Sequence, residues 1–505
     1  MRLFPTNAGR ARARLVMAGA ALLAVALIIG CGNNYRPVVT PIYPSGPAPQ
    51  PRSYAIAVSS PAPDAPGVAT LIDFSGDEVM AVAPTGPGPL ALTVDEGGYT
   101  GYTLDSDGTI TNFPLSTQLQ AKLVTYSTVP ATSKVINLES PSAGLWGADL
   151  SNNSIDIFNS SPETFQLSVP VQTMPVTVVG SPTLTGQREY AISQGFNDPT
   201  GMQCNVDPSA SWIPDGYATP IEISSYATDV PIPVGKCPVF AVQSPDLKRL
   251  FVLNRGSDTI TVINSQNDAL DACTPFTDQN GRTVTCHPTL PLSLSAVAAT
   301  GITPPNGTQG MPQVAGPVDA VYNAATNQIV VADYEAGTVT VIDVPLDVYG
   351  NDGATFGNTY TIPVGKDPAS VTALYSGSRA YTANQADGTV SVVNLVSHTL
   401  EKTLGVVGHP RTVVSTENSI YGKVYVGSPD SPYLTILQTT TDLVDTTILL
   451  QGNVVDVRTT TQNGVRGTNS NITSRIPGYG EPCNAPGIPN PVGSQTPLQA
   501  CQAIP

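Results

Sequence analysis

The 505-residue chain has a formal net charge of −16, and only 12% of its residues are charged. Such an acidic chain lacks the basic face that nucleic-acid phosphates require, so we exclude a nucleic-acid partner. The apolar share of 41% is normal for a packed core. Short Val/Ile/Thr-rich runs alternate with Gly, Pro, Asn and Asp, and this pattern predicts an all-β fold.

The N-terminus has the features of an export signal. Four arginines and no acid precede an apolar run at 15–29, and small Gly30 stands directly before Cys31. The run is shorter than the roughly 20 residues of a spanning helix, so an uncleaved anchor is the weaker alternative. The segment resembles a bacterial lipoprotein signal, whose lipobox ends in Gly-Cys. The resemblance implies a signal peptide at 1–30, cleavage after Gly30 and lipidation of Cys31; an ordinary exported protein is the alternative.

A proline-rich stretch follows, residues 31–52, with six prolines and no acid. Such a segment favours extended polyproline II and cannot bury a core. We interpret it as a stalk that starts at the lipidated Cys31. These features predict a lipid-anchored, extracytoplasmic protein of the bacterial cell envelope, either periplasmic or at the cell surface.

A repeat occupies the region from 53 to 460. Apolar runs open at prolines separated by 41, 45, 63, 79, 51 and 42 residues, and a further 43 residues lead to Asn453, which opens NVVDVRT. The prolines are Pro89, Pro130, Pro175, Pro238, Pro317, Pro368 and Pro410. Third-strand copies such as TITVIN, TVTVID and TVSVVN recur with the same period. A unit of 40 to 45 residues with four short strands has the size of a β-propeller blade.

The best copies are RLFVLNRGSDTITVIN, IVVADYEAGTVTVID and RAYTANQADGTVSVVN. They resemble the YVTN-type β-propeller repeat, although the literal YVTN string does not occur and residues 99–225 match weakly. The resemblance implies a propeller of four-stranded blades.

Eight blades follow from eight inner strands, of which the last is NVVDVRT. The first strand after the stalk, YAIAVSS, matches a second strand, so we expect NVVDVRT to complete the first blade and to close the ring. Seven blades remain the alternative if residues 128–233 form a single irregular blade.

Two steps of the repeat are too long, and insertions at 193–217 and 271–315 account for the extra length. Residues 461–505 form a Pro/Gly-rich tail without the repeat. Apart from Cys31, six cysteines remain, which allow fifteen pairings. We favour sequential pairing because each pair then encloses a local segment: Cys204–Cys237, Cys273–Cys286 and Cys483–Cys501.

Recognisable chemistry is sparse. No CxxC motif occurs and the three histidines are not spaced as a ligand pair, so we expect no metal and no cofactor. A few charged residues on or beside inner strands are candidates for an axial pocket: Asp319, Asp367, His409, Arg411, Asp456 and Arg458. Solvated turn residues are the simpler interpretation of Asp367 and His409.

Three functions remain open. A non-catalytic binding or scaffold module for an envelope protein or glycan agrees best with the missing catalytic motifs. A lactonase-like hydrolase is an alternative because such enzymes have a similar architecture, and a structural surface-layer component is another. The fold alone does not select among them.

Overall fold

The computed structural model describes residues 54–460 except for 63, 96, 117–118, 120–122, 141–143, 161–162, 181–187, 198–203, 205–210, 279–280, 293–314 and 418–421. Within these residues the chain forms 35 strands, and nearly all of them belong to eight antiparallel sheets, of which seven have four strands and one has five because its outer strand is interrupted. The all-β propeller with eight blades is therefore confirmed.

The first four blades contain strands of four to nine residues. They are β1 (Tyr54–Ser60), β2 (Pro66–Asp73) and β3 (Val79–Pro87) in blade 1; β4 (Pro89–Val94), β5 (Thr100–Asp105), β6 (Thr109–Pro114) and β7 (Thr125–Thr128) in blade 2; β8 (Val135–Glu139), β9 (Leu145–Asp149), β10 (Ser154–Ser160) and β11 (Glu163–Pro170) in blade 3; and β12 (Pro175–Gly180), β13 (Arg188–Ser193), β14 (Asp215–Glu222) and β15 (Ile232–Lys236) in blade 4.

The second half contains the remaining four blades and the closing strand. They are β16 (Pro238–Gln243), β17 (Arg249–Asn254), β18 (Thr259–Asn264), β19 (Ala269–Leu270) and β22 (Thr289–Pro291) in blade 5; β23 (Pro317–Asn323), β24 (Gln328–Asp333), β25 (Thr338–Asp343) and β26 (Thr359–Pro363) in blade 6; β27 (Pro368–Ala373), β28 (Arg379–Asn384), β29 (Thr389–Asn394) and β30 (Thr399–Gly405) in blade 7; β31 (Thr412–Ser415), β32 (Lys423–Gly427), β33 (Tyr433–Gln438) and β34 (Leu443–Leu449) in blade 8; β35 (Asn453–Thr459); and a separate hairpin, β20 (Phe276–Thr277) and β21 (Thr283–Val284).

The ring closes in blade 1, as the sequence predicts. Strand β35 pairs antiparallel with β1, so the order in that sheet is β3-β2-β1-β35. Beyond the paired residues, the Tyr54 amide donates to Thr460 Oγ1 at 2.7 Å, and the Thr460 amide donates to the Tyr54 carbonyl at 2.9 Å. The last inner strand thus joins the two ends of the repeat region and covers an edge that would otherwise be open.

Residues 128–233 contain two blades, so the seven-blade alternative is wrong. One detail of the spacing also differs, because the inner strand of blade 3 begins at Val135 and not at Pro130. Pro130 lies in a turn, where its carbonyl accepts the Ser133 amide at 2.8 Å. Val135 pairs with Asp149, the last residue of the second strand. In other blades the opening proline forms the equivalent pair, as Pro89 does with Asp105.

Packing between neighbouring blades forms the core. A typical cluster joins Tyr381 and Val392 of blade 7 to Val413, Val424 and Val426 of blade 8, and these side chains are almost fully buried. Each blade alone leaves two faces exposed, and stacking the faces removes apolar surface from water at about 25 cal/mol per Å².

Inner strands share a β-bulge near their start. In blades 2, 4, 5, 6 and 7 the register shifts directly after the opening proline. We call the side of the ring where inner strands begin the top face and the opposite side the bottom face. Because the strands are antiparallel, loops between second and third strands lie on the top face, and loops between third and fourth strands lie on the bottom face.

Candidate functional sites

Two of the predicted axial residues, Asp319 and Asp456, occupy the same position in different blades. Each directly follows the bulge of an inner strand, in blades 6 and 1 respectively. The Oδ2 atom of Asp319 accepts the Val371 amide of blade 7 at 3.0 Å, and that of Asp456 accepts the Leu92 amide of blade 2 at 3.1 Å. Both carboxylates therefore connect one inner strand to the next.

Arg458 completes the contact between blades 1 and 2. Its Nη2 lies 3.1 Å from Asp456 Oδ2, and its Nε donates to the Leu92 carbonyl at 3.2 Å. Burial raises the pKa of Asp319 to about 6, although the Val371 amide, Ser370 and the charge of Arg458 favour its ionised form. Arg411 of blade 8 donates to the Val455 carbonyl at 3.4 Å. These charged groups join neighbouring inner strands at three places in the ring, namely between blades 6 and 7, blades 1 and 2, and blades 8 and 1.

Asp367 and His409 lie in turns on the top face. Asp367 has a φ of 53°, and its carbonyl accepts the Gln385 amide at 2.9 Å. His409 is 60% exposed, and its Nδ1 lies 2.5 Å from Asp430 Oδ2. The structure thus pairs Asp456 with Arg458 and places Asp367 and His409 in separate turns.

The insertions carry two disulfide bonds, Cys204–Cys237 and Cys273–Cys286, as sequential pairing predicts. The first joins the loop between β13 and β14 to the start of the next inner strand. The second closes the β20–β21 hairpin, which interrupts the outer strand of blade 5 between β19 and β22. Cys31, Cys483 and Cys501 lie outside the described residues, as do the signal segment, the stalk and the tail.

The second insertion packs against the long loop between β25 and β26. We call residues 271–278, 281–292 and 344–358 together the side module. Arg282 connects its two parts, because Nη2 donates to Asp347 Oδ2 and Nη1 donates to the Asp352 carbonyl, both at 2.8 Å. His287 stacks on Phe356 with ring centroids 5.3 Å apart. Sequence reasoning did not anticipate these contacts between the insertion and the loop.

Asp347 organises the tip of the loop. Its Oδ1 accepts the amides of Tyr349 at 2.8 Å and Asn351 at 2.9 Å, and Oδ2 accepts Asn351 Nδ2 at 3.2 Å. Burial opposes ionisation, yet these hydrogen bonds and the charge of Arg282 leave the pKa of Asp347 below its usual range. Arg249 Nη2 also donates to the Gly350 carbonyl at 3.0 Å. The tip is therefore held in one conformation.

Beneath the tip lies a buried polar cluster. Arg249 Nη2 is 3.0 Å from Asp271 Oδ1 and 3.6 Å from Asp352 Oδ1, and His287 Nδ1 is 2.7 Å from Asp352 Oδ2. Burial, together with the neighbouring Asp352, raises the pKa of Asp271 to about 6. The cluster joins blade 5 to both parts of the side module.

A second acidic cluster lies on the top face between blades 5 and 6. Arg255 pairs with Glu335, and its guanidinium lies 5.7 Å from the centre of the Tyr334 ring. Asp258 Oδ1 accepts the Gly316 amide at 3.0 Å. Burial raises the pKa of Asp333 to about 8, and nearby Asp258 and Glu335 act in the same direction.

Within the part of the chain that the structure covers, no group of three or more His, Cys, Asp or Glu is arranged to hold a metal ion. In the same residues, no helix has the length and hydropathy of a membrane span.

Comparison with solved structures places the chain among β-propellers. AztD from Citrobacter koseri matches with a TM-score of 0.51 and 11% identity, over 81% of this chain and 97% of that one. Its apo form gives 0.49 and 12% over the same shares. A proposed 6-phosphogluconolactonase from Bacteroides fragilis gives 0.47 and 14%, over 81% and 98%. No protein-family model and no curated protein matches the sequence. The likeness to solved structures is therefore one of fold.

Proposed function

We propose that this chain is a lipid-anchored, extracytoplasmic lipoprotein whose propeller is a non-catalytic binding module, and that it recognises a protein partner through the side module. The observation that carries the proposal is the exposure of Val348 and Tyr349 at the tip of the loop. Their exposed fractions are 91% and 63%, and Phe276 of the neighbouring hairpin is 43% exposed.

Large apolar side chains on an immobilised loop are suited to binding. Asp347, Arg282 and Arg249 already hold the backbone of the tip, so little conformational entropy is lost when a partner covers it. The Cys273–Cys286 bond limits the freedom of the hairpin in the same way. A preorganised anchor of this kind enters a pocket on the partner surface.

The pair of side chains favours a protein over a glycan. An aromatic ring stacks on either kind of partner, but a branched aliphatic side chain gains most when an apolar protein pocket removes it from water. Val348 is the more exposed of the two, and its branched aliphatic side chain is the reason that we favour a protein partner over a glycan.

Anchoring rests on other observations. The apolar run at 15–29 and the Gly30-Cys31 pair motivate lipidation, and two disulfide bonds agree with an oxidising compartment. We expect Cys31→Ser to abolish incorporation of a labelled fatty acid during growth. Equal label in the variant would refute the anchor.

The binding role is tested with a matched pair of variants. The full-length protein is immobilised, envelope extract from the source cells is passed over it, and retained proteins are quantified by mass spectrometry. Val348→Ser/Tyr349→Ser should lose a specific retained protein. Val396→Ser/Tyr375→Ser removes the same residue types from blade 7, where they are 74% and 60% exposed, and should keep it. Equal retention by both variants contradicts the proposed surface.

A glycan array separates the other partner class. Glycan binding that is lost in Tyr349→Ser and kept in Val348→Ser would replace the protein partner by a carbohydrate. The outcome of the glycan array does not bear on the lipid anchor, which Cys31→Ser tests separately.

The lactonase-like and surface-layer alternatives have their own tests. We expect no hydrolysis of a lactone and ester panel; turnover that disappears in Asp367→Ala/His409→Ala would favour the enzyme. Ordered arrays of the purified protein under electron microscopy would favour the surface-layer component.

A further inference from the structure

Asp271 and Asp352 form a carboxyl pair beneath the loop tip. Asp271 lies at the start of the second insertion, directly after β19, and Asp352 lies directly after the 347–351 tip. Their side chains are 4% and 1% exposed, and both carboxyl groups face one nitrogen atom, Arg249 Nη2, at 3.0 Å from Asp271 Oδ1 and 3.6 Å from Asp352 Oδ1.

The pair lacks a hydrogen-bond donor between its members. Arg249 approaches Asp271 Oδ1, and His287 Nδ1 contacts Asp352 Oδ2. Of the remaining oxygens, Asp271 Oδ2 and Asp352 Oδ1 are buried and have no hydrogen-bond partner among the described residues. Two carboxyl oxygens can hydrogen-bond only if one of them carries a proton. Two buried carboxyl oxygens are therefore left without a donor, and a proton shared by the pair would supply one.

We propose that Asp271 and Asp352 share a proton in mildly acidic surroundings, and that the shared proton clamps the loop at 344–358 onto the second insertion. The clamp would regulate the surface named above, so its biological purpose rests on the proposed function. The hydrogen bond between Asp271 and Asp352 does not depend on that function. With the proton bound, a hydrogen bond joins the insertion to the loop; without it, two negative charges face one Arg249.

The direction of the pH effect follows from the raised pKa of Asp271. Burial raises the pKa of Asp271 in the folded protein to about 6, from an ordinary value of 3.8. The folded loop therefore binds more protons than the open loop between these limits, and its stability falls as the pH rises through 6.

The charged and titratable groups around the pair come from every neighbouring element. Arg249 projects from β17, His287 from the segment before β22, and Arg282 from the β20–β21 hairpin, where it also contacts Asp278 and Asp347. Any of these groups could carry a pH effect, so the test must separate the carboxyl pair from His287.

Hydrogen exchange of the full-length protein tests the clamp. The amides of Tyr349, Gly350 and Asn351 all donate to Asp347 and report opening of the tip. After correction for intrinsic exchange, their protection should be about tenfold greater at pH 5 than at pH 7.5. In Asp271→Asn an amide supplies the missing donor, so high protection should persist at both pH values.

Matched measurements keep the result interpretable. The amides of Val396 and Ser397, which donate to Asn394 in an ordinary turn of blade 7, should show no such pH dependence. Asp352→Asn provides the same donor from the other side and replaces Asp271→Asn if that variant does not fold. Unchanged pH dependence in both asparagine variants, its loss in His287→Gln alone, or its absence in the wild type would each overturn the proposal.

This readout requires no partner. A loop that tightens in acid but retains no protein refutes the function and leaves the clamp intact. A loop that binds its partner equally at both pH values, without a change in protection, refutes only the clamp.

Discussion

Two junctions between neighbouring blades, 7–8 and 5–6, both contain an arginine at the same position. At the first position of the second strand stands Arg379 in blade 7 and Arg249 in blade 5. In the 7–8 junction Arg379 pairs with Asp442, and the Tyr381 hydroxyl donates to the same carboxylate at 2.5 Å. Asp442 occupies a turn between third and fourth strands with a φ of 50°.

This arrangement recurs around the ring. Arg188 and Tyr190 bind Asp268 between blades 4 and 5, and Lys423 and Tyr425 bind Asp77 between blades 8 and 1; these lie at equivalent positions. A basic residue, a tyrosine two positions later and an acidic turn residue in the next blade therefore form a repeated link between blades.

The 5–6 junction departs from the repeat. Phe251 stands where the tyrosine would be, and the long loop at 344–358 replaces the short turn. Arg249 consequently faces Asp352 of the loop and Asp271 of the insertion. In this junction the side module therefore supplies the acidic partners of the basic residue, and it supplies two carboxylates where the 7–8 junction has one.

Ring closure should have the largest effect, because every junction depends on it. A chain that ends at Gly452 lacks β35 and with it buried Val454, Val457 and the Asp456–Arg458 pair. We expect a loss of cooperative unfolding or a drop in Tm of more than about 10 °C. A chain that ends at Gly464 keeps β35 and should melt close to the full-length protein. Equal melting of both truncated chains would show that the ring closes otherwise.

Removal of the basic residue should distinguish the two junctions. Arg249→Met leaves two buried carboxyl groups without their cation, and we expect a loss of about 3–5 kcal/mol in the free energy of unfolding at pH 7.5. Arg379→Met leaves one carboxylate that still accepts the Tyr381 hydroxyl, so about 1–2 kcal/mol should be lost. Urea unfolding measures both, and equal losses would mean that the second carboxylate adds nothing.

The tyrosine of the regular link makes a smaller contribution. Tyr381→Phe removes a buried hydrogen bond to a charged group and should cost about 2 kcal/mol. Tyr190→Phe is the matched variant in blade 4 and should behave similarly, because its hydroxyl donates to Asp268 at 2.6 Å. A negligible loss in both would show that the arginine–aspartate pairs alone hold these junctions.

The sequence predicts the fold well because the repeat specifies it locally. Proline-opened inner strands and the NVVDVRT closure can be seen in the spacing alone, whereas the turn at Pro130 shifted one strand by five residues. The side module could not be predicted, since Asp271 and Asp352 are 81 positions apart and meet only after blades 5 and 6 stack. Spacing also could not show that Asp319 and Asp456 each accept a backbone amide from the inner strand of the next blade. Their position directly after a β-bulge, which the spacing does not reveal, makes that contact possible.

Asp333 offers a comparison of blade 6 with its two neighbours. Asn254 and Asn384 hold the equivalent position at the end of the second strand, and each Nδ2 donates to two hydroxyl groups of the third strand. Asp333 instead accepts from Thr338 at 3.0 Å and Thr340 at 2.5 Å, and it is fully buried. An asparagine should therefore fit this position without moving the strands.

The change of stability with pH that Asp333→Asn removes should be the smallest of the four effects. Because the pKa of Asp333 is raised to about 8 from 3.8, the folded state binds the extra proton between these values. The wild type consequently loses stability relative to the variant as the pH rises through 8. We expect Asp333→Asn to be the more stable protein, with a difference that widens by about 1 kcal/mol from pH 7 to pH 8.5. Urea unfolding at both pH values measures this change, and Asp105, whose pKa is raised to about 7 at the same position of blade 2, contributes equally to both proteins. A constant difference would mean that Asp333 does not change its protonation state between pH 7 and pH 8.5.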